Sequence, residues 1–135
     1  MLILAIDPGK DKCGLAILQA DGATKKRGIY PTASLHETIS KFNEEEALAV
    51  VVIGDGTKSE DIQKIVKEQL PDCDIHVVDE KGSTLAGREL WLDEGIHSPL
   101  VAILPKFLRR LFAPDALDDF AAVVLGRRHL AKRST

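Results

Sequence analysis

The stretch from Ala47 to Ile53 is an apolar run of alanine, leucine, valine and isoleucine. A strand of this composition has no solvent face and needs cover on both sides, which is the situation of strands in a parallel β/α sheet. Its flanks agree. Before it, Leu35, Ile39 and Phe42 recur at helical spacing behind Ser34-Leu35-His36-Glu37, which has the form of a capping box. After it, Gly54-Asp55-Gly56 ends the strand. Ser59 then reads as the cap of a second helix, with Glu60 and Asp61 in its first turn and Ile62, Ile65, Val66 and Leu70 as its core face; Pro71 stops it. Ile75–Glu80 is a further strand.

The start of the chain has a different texture. Leu2–Asp7 and Cys13–Leu18 are short apolar runs joined by Pro8-Gly9-Lys10-Asp11-Lys12, the pattern of a β-hairpin. Asp21-Gly22 is the next turn, leading into a more polar strand at Thr24–Tyr30. Beyond Glu80, Thr84–Glu94 reads as a helix stopped by Gly95, and a last helix runs from about Asp115 to Ala131 behind Pro114. The order βββαβαβα describes an α/β fold: a mixed five-stranded sheet with helices on both faces.

Length and composition narrow the class. The 135 residues suit one domain, 1–135, and 44% apolar residues suit a packed core. No run of about 18 apolar residues is present, so no membrane span is expected. The N-terminus lacks the basic region and cleavage site of a signal peptide. Two cysteines, Cys13 and Cys73, make no disulfide framework, and the expected compartment is the reducing cytoplasm. Net charge is −3, but basic residues bunch at Lys25-Lys26-Arg27, at Lys106 with Arg109-Arg110, and at Arg127-Arg128 with Lys132-Arg133. Those clusters suit nucleic acid or merely a solvated face. Aromatics at 4% argue against a base-stacking platform.

Four carboxylates then stand out. Asp7 and Glu80 each end an apolar strand, and Asp115 and Asp118 open the last helix three residues apart, on one face. In an open β/α sheet, ligands collect at the carboxyl ends of the strands. A set of hard oxygens without His or Cys suits a pair of Mg²⁺ or Mn²⁺ ions, the arrangement many nucleases use on phosphodiesters.

Four stretches in order carry a resemblance. They are Ala5-Ile6-Asp7-Pro8-Gly9-Lys10 with Gly14-Leu15-Ala16-Ile17, then Val51-Val52-Ile53-Gly54, then Val78-Asp79-Glu80-Lys81-Gly82-Ser83-Thr84, then Leu117-Asp118-Asp119-Phe120 through Leu125. This organisation resembles the RNase H-like superfamily and, within it, the RuvC-like group with its Holliday-junction resolvases and YqgF (RuvX) pre-16S rRNA nucleases. The resemblance implies an RNase H-like fold and two-metal hydrolysis of structured nucleic acid, either processing of the pre-16S rRNA 5′ end or cleavage of four-way DNA. It implies catalytic roles for Asp7, Glu80 and Asp118, with Asp115 as a further metal ligand. Lys10, Lys12, Thr57, Lys81, Lys106, Arg109 and Arg110 are the expected nucleic-acid contacts. A resolvase would act as a homodimer. Lys81 and Gly82 depart from the Arg and Leu usual in YqgF members, while the Asp115/Asp118 pair looks more like the resolvases.

Plainer readings stand beside these. Asp7-Pro8-Gly9 is good turn chemistry. Asp79 and Glu80 point to opposite faces of a strand, and parity does not choose between them. Asp115, Asp118 and Asp119 suit a helix N-terminus as such. Lys106–Phe112 suits a nucleic-acid contact, a dimer surface or a capping helix equally. Arg127, Arg128, Lys132 and Arg133 read as solvated, and His129 as a favourable contact near a helix end. A non-catalytic RNase H-like binding module remains the alternative of another class. A sugar kinase or actin-like ATPase needs two such domains around a cleft, and this length holds one.

Overall fold

A computed structural model of the chain describes residues 1–56, 58–79 and 118–134, the last helix in its backbone alone at 118–120 and 132–134. The elements are β1 (Leu2–Asp7), β2 (Lys12–Gln19), β3 (Thr24–Pro31), a 3-10 turn (Thr32–Ser34), α1 (Leu35–Glu45), β4 (Val50–Gly54), α2 (Ser59–Gln69), β5 (Asp74–Val78) and α3 (Asp118–Ser134). The expected Thr84–Glu94 helix and the segment Ile96–Ala113 lie outside the described residues.

The strands form one sheet in the order β3-β2-β1-β4-β5. β1–β2 and β2–β3 are antiparallel. β1–β4 and β4–β5 are parallel. The sheet is therefore mixed, as the change of texture along the sequence anticipates. β4 is buried along its whole length, which is why its sequence carries no polar alternation.

Alternation along the strands sorts the core into two layers. Leu4 and Ile6 of β1, Leu15 and Ile17 of β2, and Val51 and Ile53 of β4 pack on Leu35, Ile39 and Phe42 of α1 and on Ile62 and Val66 of α2. Ile3, Ala5, Ala16, Leu18, Val50, Val52 and Val78 pack on Ala122, Val123 and Leu125 of α3. Each fully buried Val, Leu or Ile contributes about 2 kcal/mol. Gly126 is where α3 comes closest to the sheet: a Cβ there would overlap Leu18 Cδ1 and stand 3.2 Å from the Cβ of Ala5.

Two helix starts differ from the sequence reading. Ser34 does precede α1, but its side chain makes no capping bond; its carbonyl instead accepts from the Thr38 hydroxyl at 3.0 Å. Ser59 is the first residue of α2 rather than its cap, a place taken by Lys58. The Ser59 amide donates to the Gly56 carbonyl at 3.0 Å, and its hydroxyl accepts from Gln63 Nε2 at 3.2 Å. In both cases tight turns leading into the helix satisfy groups that a side-chain cap otherwise serves.

Cys13 is buried, as expected, and Cys73 is half-buried in the turn between α2 and β5. The Cys73 thiol donates to the Leu48 carbonyl at 2.9 Å. Burial, with the Asp72 and Asp74 carboxylates alongside, pushes this thiol above its ordinary value of 9.0. A thiol whose pKa is raised by folding adds stability that is complete below the unfolded value and drains away as the pH rises through the folded one. The urea midpoint is therefore expected to fall between pH 8 and pH 10, and to fall less in Cys73→Ser, which keeps a donor to Leu48 but does not titrate there. Equal falls in both proteins would mean that the thiol contributes nothing to the slope.

Candidate active site

Asp7 is the last residue of β1, the strand at the centre of the sheet, and it is half-buried. It continues the alternation of Ile3 and Ala5, so it stands on the α3 face. Register then fixes its neighbours. On one side Asp7 pairs with Gly14 of β2. On the other, Ile6 pairs with Ile53, so the residue beside Asp7 on β4 is Gly54, which in turn pairs with Val78 of β5. The central carboxylate is thus flanked on its own face by two residues without side chains. Strands stand about 4.8 Å apart, so the end of β5 lies roughly 10 Å from Asp7 across Gly54.

The loop beyond Asp7 is braced. The Gly9 carbonyl accepts from the Thr32 hydroxyl at 2.9 Å, and the Thr32 amide donates to the Asp11 carbonyl at 2.9 Å. Cys13 Sγ lies 3.2 Å from Thr32 Oγ1. Gly9 passes so close to the Lys12 carbonyl oxygen that any Cβ would overlap it, a place for glycine alone. Lys10 and Lys12 are exposed on this loop and at the start of β2. Lys12 falls on the same face as Asp7, because Cys13 faces the other layer.

The far side of the site is the end of β5. The Asp55 amide donates to the Val78 carbonyl at 2.9 Å, carrying the β4–β5 ladder one step past Gly54. Even-numbered residues of β5 face α3: Val78 packs in that layer, and the His76 ring lies against His129 of α3 with centroids 4.5 Å apart. Asp79 follows the strand and is exposed. Asp118 is the first described residue of α3, the helix that covers the Asp7 face. Glu80, Asp115, Thr57, Lys81, Lys106, Arg109 and Arg110 lie outside the described residues. Among the described residues, no three His, Cys, Asp or Glu side chains gather to hold a metal ion. Also among them, no helix is long and apolar enough to cross a membrane.

Several residues here were given lesser roles from sequence. Gly14 and Gly54 gain meaning only once register sets them beside Asp7. Arg127 and Arg128 are half-buried rather than solvated. Arg127 Nε donates to the Gly22 carbonyl at 3.0 Å, and Arg128 Nη1 to the Asp79 carbonyl at 3.3 Å. His129 is 6% exposed and part of the packing against β5, more than a contact with a helix end.

The family model of the Tex protein YqgF-like domain matches residues 1–88. The chain belongs to this YqgF-like family. The match takes in Asp7 and Glu80 and ends before Asp115 and Asp118. Among solved structures, the fold is similar to Thermus thermophilus RuvC in complex with a Holliday junction substrate, with a TM-score of 0.60 and 13% identity over 99% of this chain and 96% of that one. A second Thermus thermophilus RuvC structure gives a TM-score of 0.56 and 14% identity over 100% of this chain and 98% of that one. No curated protein matches the sequence. The described part of this YqgF-like chain therefore shares the mixed five-stranded sheet of the RuvC fold, as the order of its strands implied.

Proposed function

We propose that this YqgF-like chain is a metal-dependent endonuclease acting on structured nucleic acid, its 135 residues forming one nuclease domain that works in the cytoplasm. Family membership and the RuvC-like fold support a nuclease of the RNase H-like type. The observation that carries the reading is the placement of Asp7: a carboxylate at the carboxyl end of the central strand, on the helix-covered face, between two glycines.

In this reading Asp7, Glu80 and Asp118 are the catalytic carboxylates, and Asp115 joins them in holding two Mg²⁺ or Mn²⁺ ions. The donors fit hard cations, being carboxylate oxygens without a soft ligand. The choice of Glu80 over Asp79 rests on the resemblance of Val78-Asp79-Glu80-Lys81-Gly82-Ser83-Thr84 to the YqgF motif. Such ions, when bound, supply an activated water and neutralise charge at the leaving 3′ oxygen. The chain's own residues place the phosphodiester. Lys10 and Lys12 flank the Asp7 loop, and Lys81, Lys106, Arg109 and Arg110 are the further cations for the backbone, Lys81 or Arg110 at the scissile phosphate. Thr57, just ahead of α2, serves a second phosphate. Gly14 and Gly54 keep bulk away from Asp7, so the scissile group can approach the carboxylates directly.

Processing of the pre-16S rRNA 5′ end is the first reading, on the resemblance of the motifs to those of YqgF nucleases. Cleavage of four-way DNA by a homodimer is the second reading, favoured by full-length likeness to a RuvC solved with a Holliday junction. Labelled pre-16S leader and a four-way junction, each incubated with Mg²⁺, Mn²⁺ or EDTA, separate them. Metal-dependent cutting of the leader alone is the expected result, and cutting of the junction alone moves the assignment to resolvase. A well-folded protein that binds either substrate but cuts neither is a binding module, and the nuclease reading falls.

A further inference from the structure

We infer that Thr32 is a positioning residue for Lys10, holding the loop after Asp7 in the shape in which it meets a nucleic-acid backbone; the inference rests on the reading above of Lys10 as a nucleic-acid contact. The loop Pro8-Gly9-Lys10-Asp11 joins the end of β1 to the start of β2. Two of its carbonyls are taken up by one residue outside it. The Thr32 hydroxyl donates to the Gly9 carbonyl at 2.9 Å, and the Thr32 amide donates to the Asp11 carbonyl at 2.9 Å. Gly9 and Asp11 are the residues on either side of Lys10. Lys10, which is exposed, is thus suspended between two pinned carbonyls.

Thr32 serves as an anchor because it is itself held on both sides. Before it, Pro31 closes the β2–β3 ladder opposite Lys12. After it, the 3-10 turn runs into α1, whose first residue, Leu35, is fully buried. A further contact sets the hydroxyl. Sγ of the buried Cys13 lies 3.2 Å from Thr32 Oγ1. A hydroxyl has one proton to give, and the Gly9 carbonyl takes it, so the thiol is the donor in this pair. Donation runs from Cys13 through Thr32 to Gly9, which fixes the direction of the hydroxyl proton. The loop carries no large apolar side chain with which to anchor itself. A loop ordered only on binding loses conformational freedom at that moment, and the complex is weaker for it. Thr32 removes that loss beforehand. The gain is one of affinity rather than of the chemical step, because Asp7 is held by its own ladder to Gly14.

The test is a double-mutant cycle on substrate binding, read from the fluorescence anisotropy of labelled pre-16S leader and of a labelled four-way junction in Ca²⁺, well below the melting temperature. Thr32→Val keeps the shape and the amide tie but gives up the hydroxyl. It is expected to weaken binding of the preferred substrate about fivefold, the order of what ordering one loop residue on binding costs. Thr32→Ser, which keeps the hydroxyl, is expected to bind within about twofold of wild type. In a Lys10→Ala background the same Thr32→Val change is expected to cost less than about twofold, since the pinned loop then has no cation to present. The loss in Thr32→Val is also expected to shrink as salt is raised, as a phosphate contact does. Wild-type affinity in Thr32→Val overturns the inference. So does a loss that persists undiminished in the Lys10→Ala background, which marks Thr32 as general support for the fold. If Thr32→Val does not fold, Thr32→Ala carries the same comparison. Wild type that binds neither substrate removes the nucleic-acid reading and this inference together; affinity that falls in Lys10→Ala without coupling to Thr32 removes the inference alone.

Discussion

Asp7→Asn is expected to lower metal-dependent cleavage at least ~1,000-fold while leaving the melting temperature equal or slightly higher. Three decades correspond to about 4 kcal/mol of barrier, within what bound ions contribute to phosphodiester hydrolysis. The amide keeps the shape of the carboxylate but gives up the charge that holds a cation. Asp7 joins the sheet through its backbone, paired with Gly14, and that ladder does not depend on the side chain. In the proposed site, where Glu80, Asp115 and Asp118 would join Asp7, removing one charge would also relieve repulsion. Ca²⁺ is expected to support substrate binding with little cutting. The checks are a cleavage time course and a thermal melt on the same preparations. Wild-type cutting by Asp7→Asn would place the site elsewhere.

Gly126→Val is expected to lower stability by about 3 kcal/mol, and Gly126→Ala by about 1 kcal/mol. Helix propensity argues the other way, since alanine gains about 1 kcal/mol over glycine in a helix interior. Packing decides. The added Cβ meets Leu18 Cδ1 and stands 3.2 Å from Ala5 Cβ. Leu18 and Ala5 are both 0% exposed, so neither side chain has solvent to retreat into. Valine adds two methyl groups to the same overlap, and α3 must lift from β1 and β2. Lifting α3 would also carry Asp118 away from Asp7, so under the proposed function cleavage should fall together with stability. Urea midpoints of the three proteins give the measurement. A valine midpoint equal to wild type would mean that α3 does not touch the sheet at this point.

The parts of the fold that could be read from sequence are those in which burial leaves its own mark. The run at Ala47–Ile53 had to be covered on both faces, and Val50–Gly54 is. The helical spacing of Leu35, Ile39 and Phe42 puts all three in the core. Asp7 stood out because a charge ending an apolar strand is conspicuous. Its flanking glycines did not, because pairing Gly14 and Gly54 with Asp7 takes the register of three strands, which no local pattern carries. Arg127 and Arg128 were misjudged for a related reason. A basic residue near the end of a helix has the same sequence signature whether it meets water or a carbonyl, and Arg127 meets one 105 positions away. Ser34 and Ser59 had the right composition for caps, yet the turns before α1 and α2 took over that role.

The place of β1 in the sheet also bears on how the site breathes. Asp7 hangs from a strand bonded on both sides, to β2 and to β4, whereas β5 is joined to the described sheet through β4 alone. Amide protons inside a central strand exchange with solvent only when most of the molecule opens, while strands with a single partner are released by smaller and more frequent openings. The two walls of the site thus belong to different layers of native-state opening: the Asp7 wall is expected to hold its protons through fluctuations that release those of β5. An ion held between them would slow exchange in β5 far more than in β1.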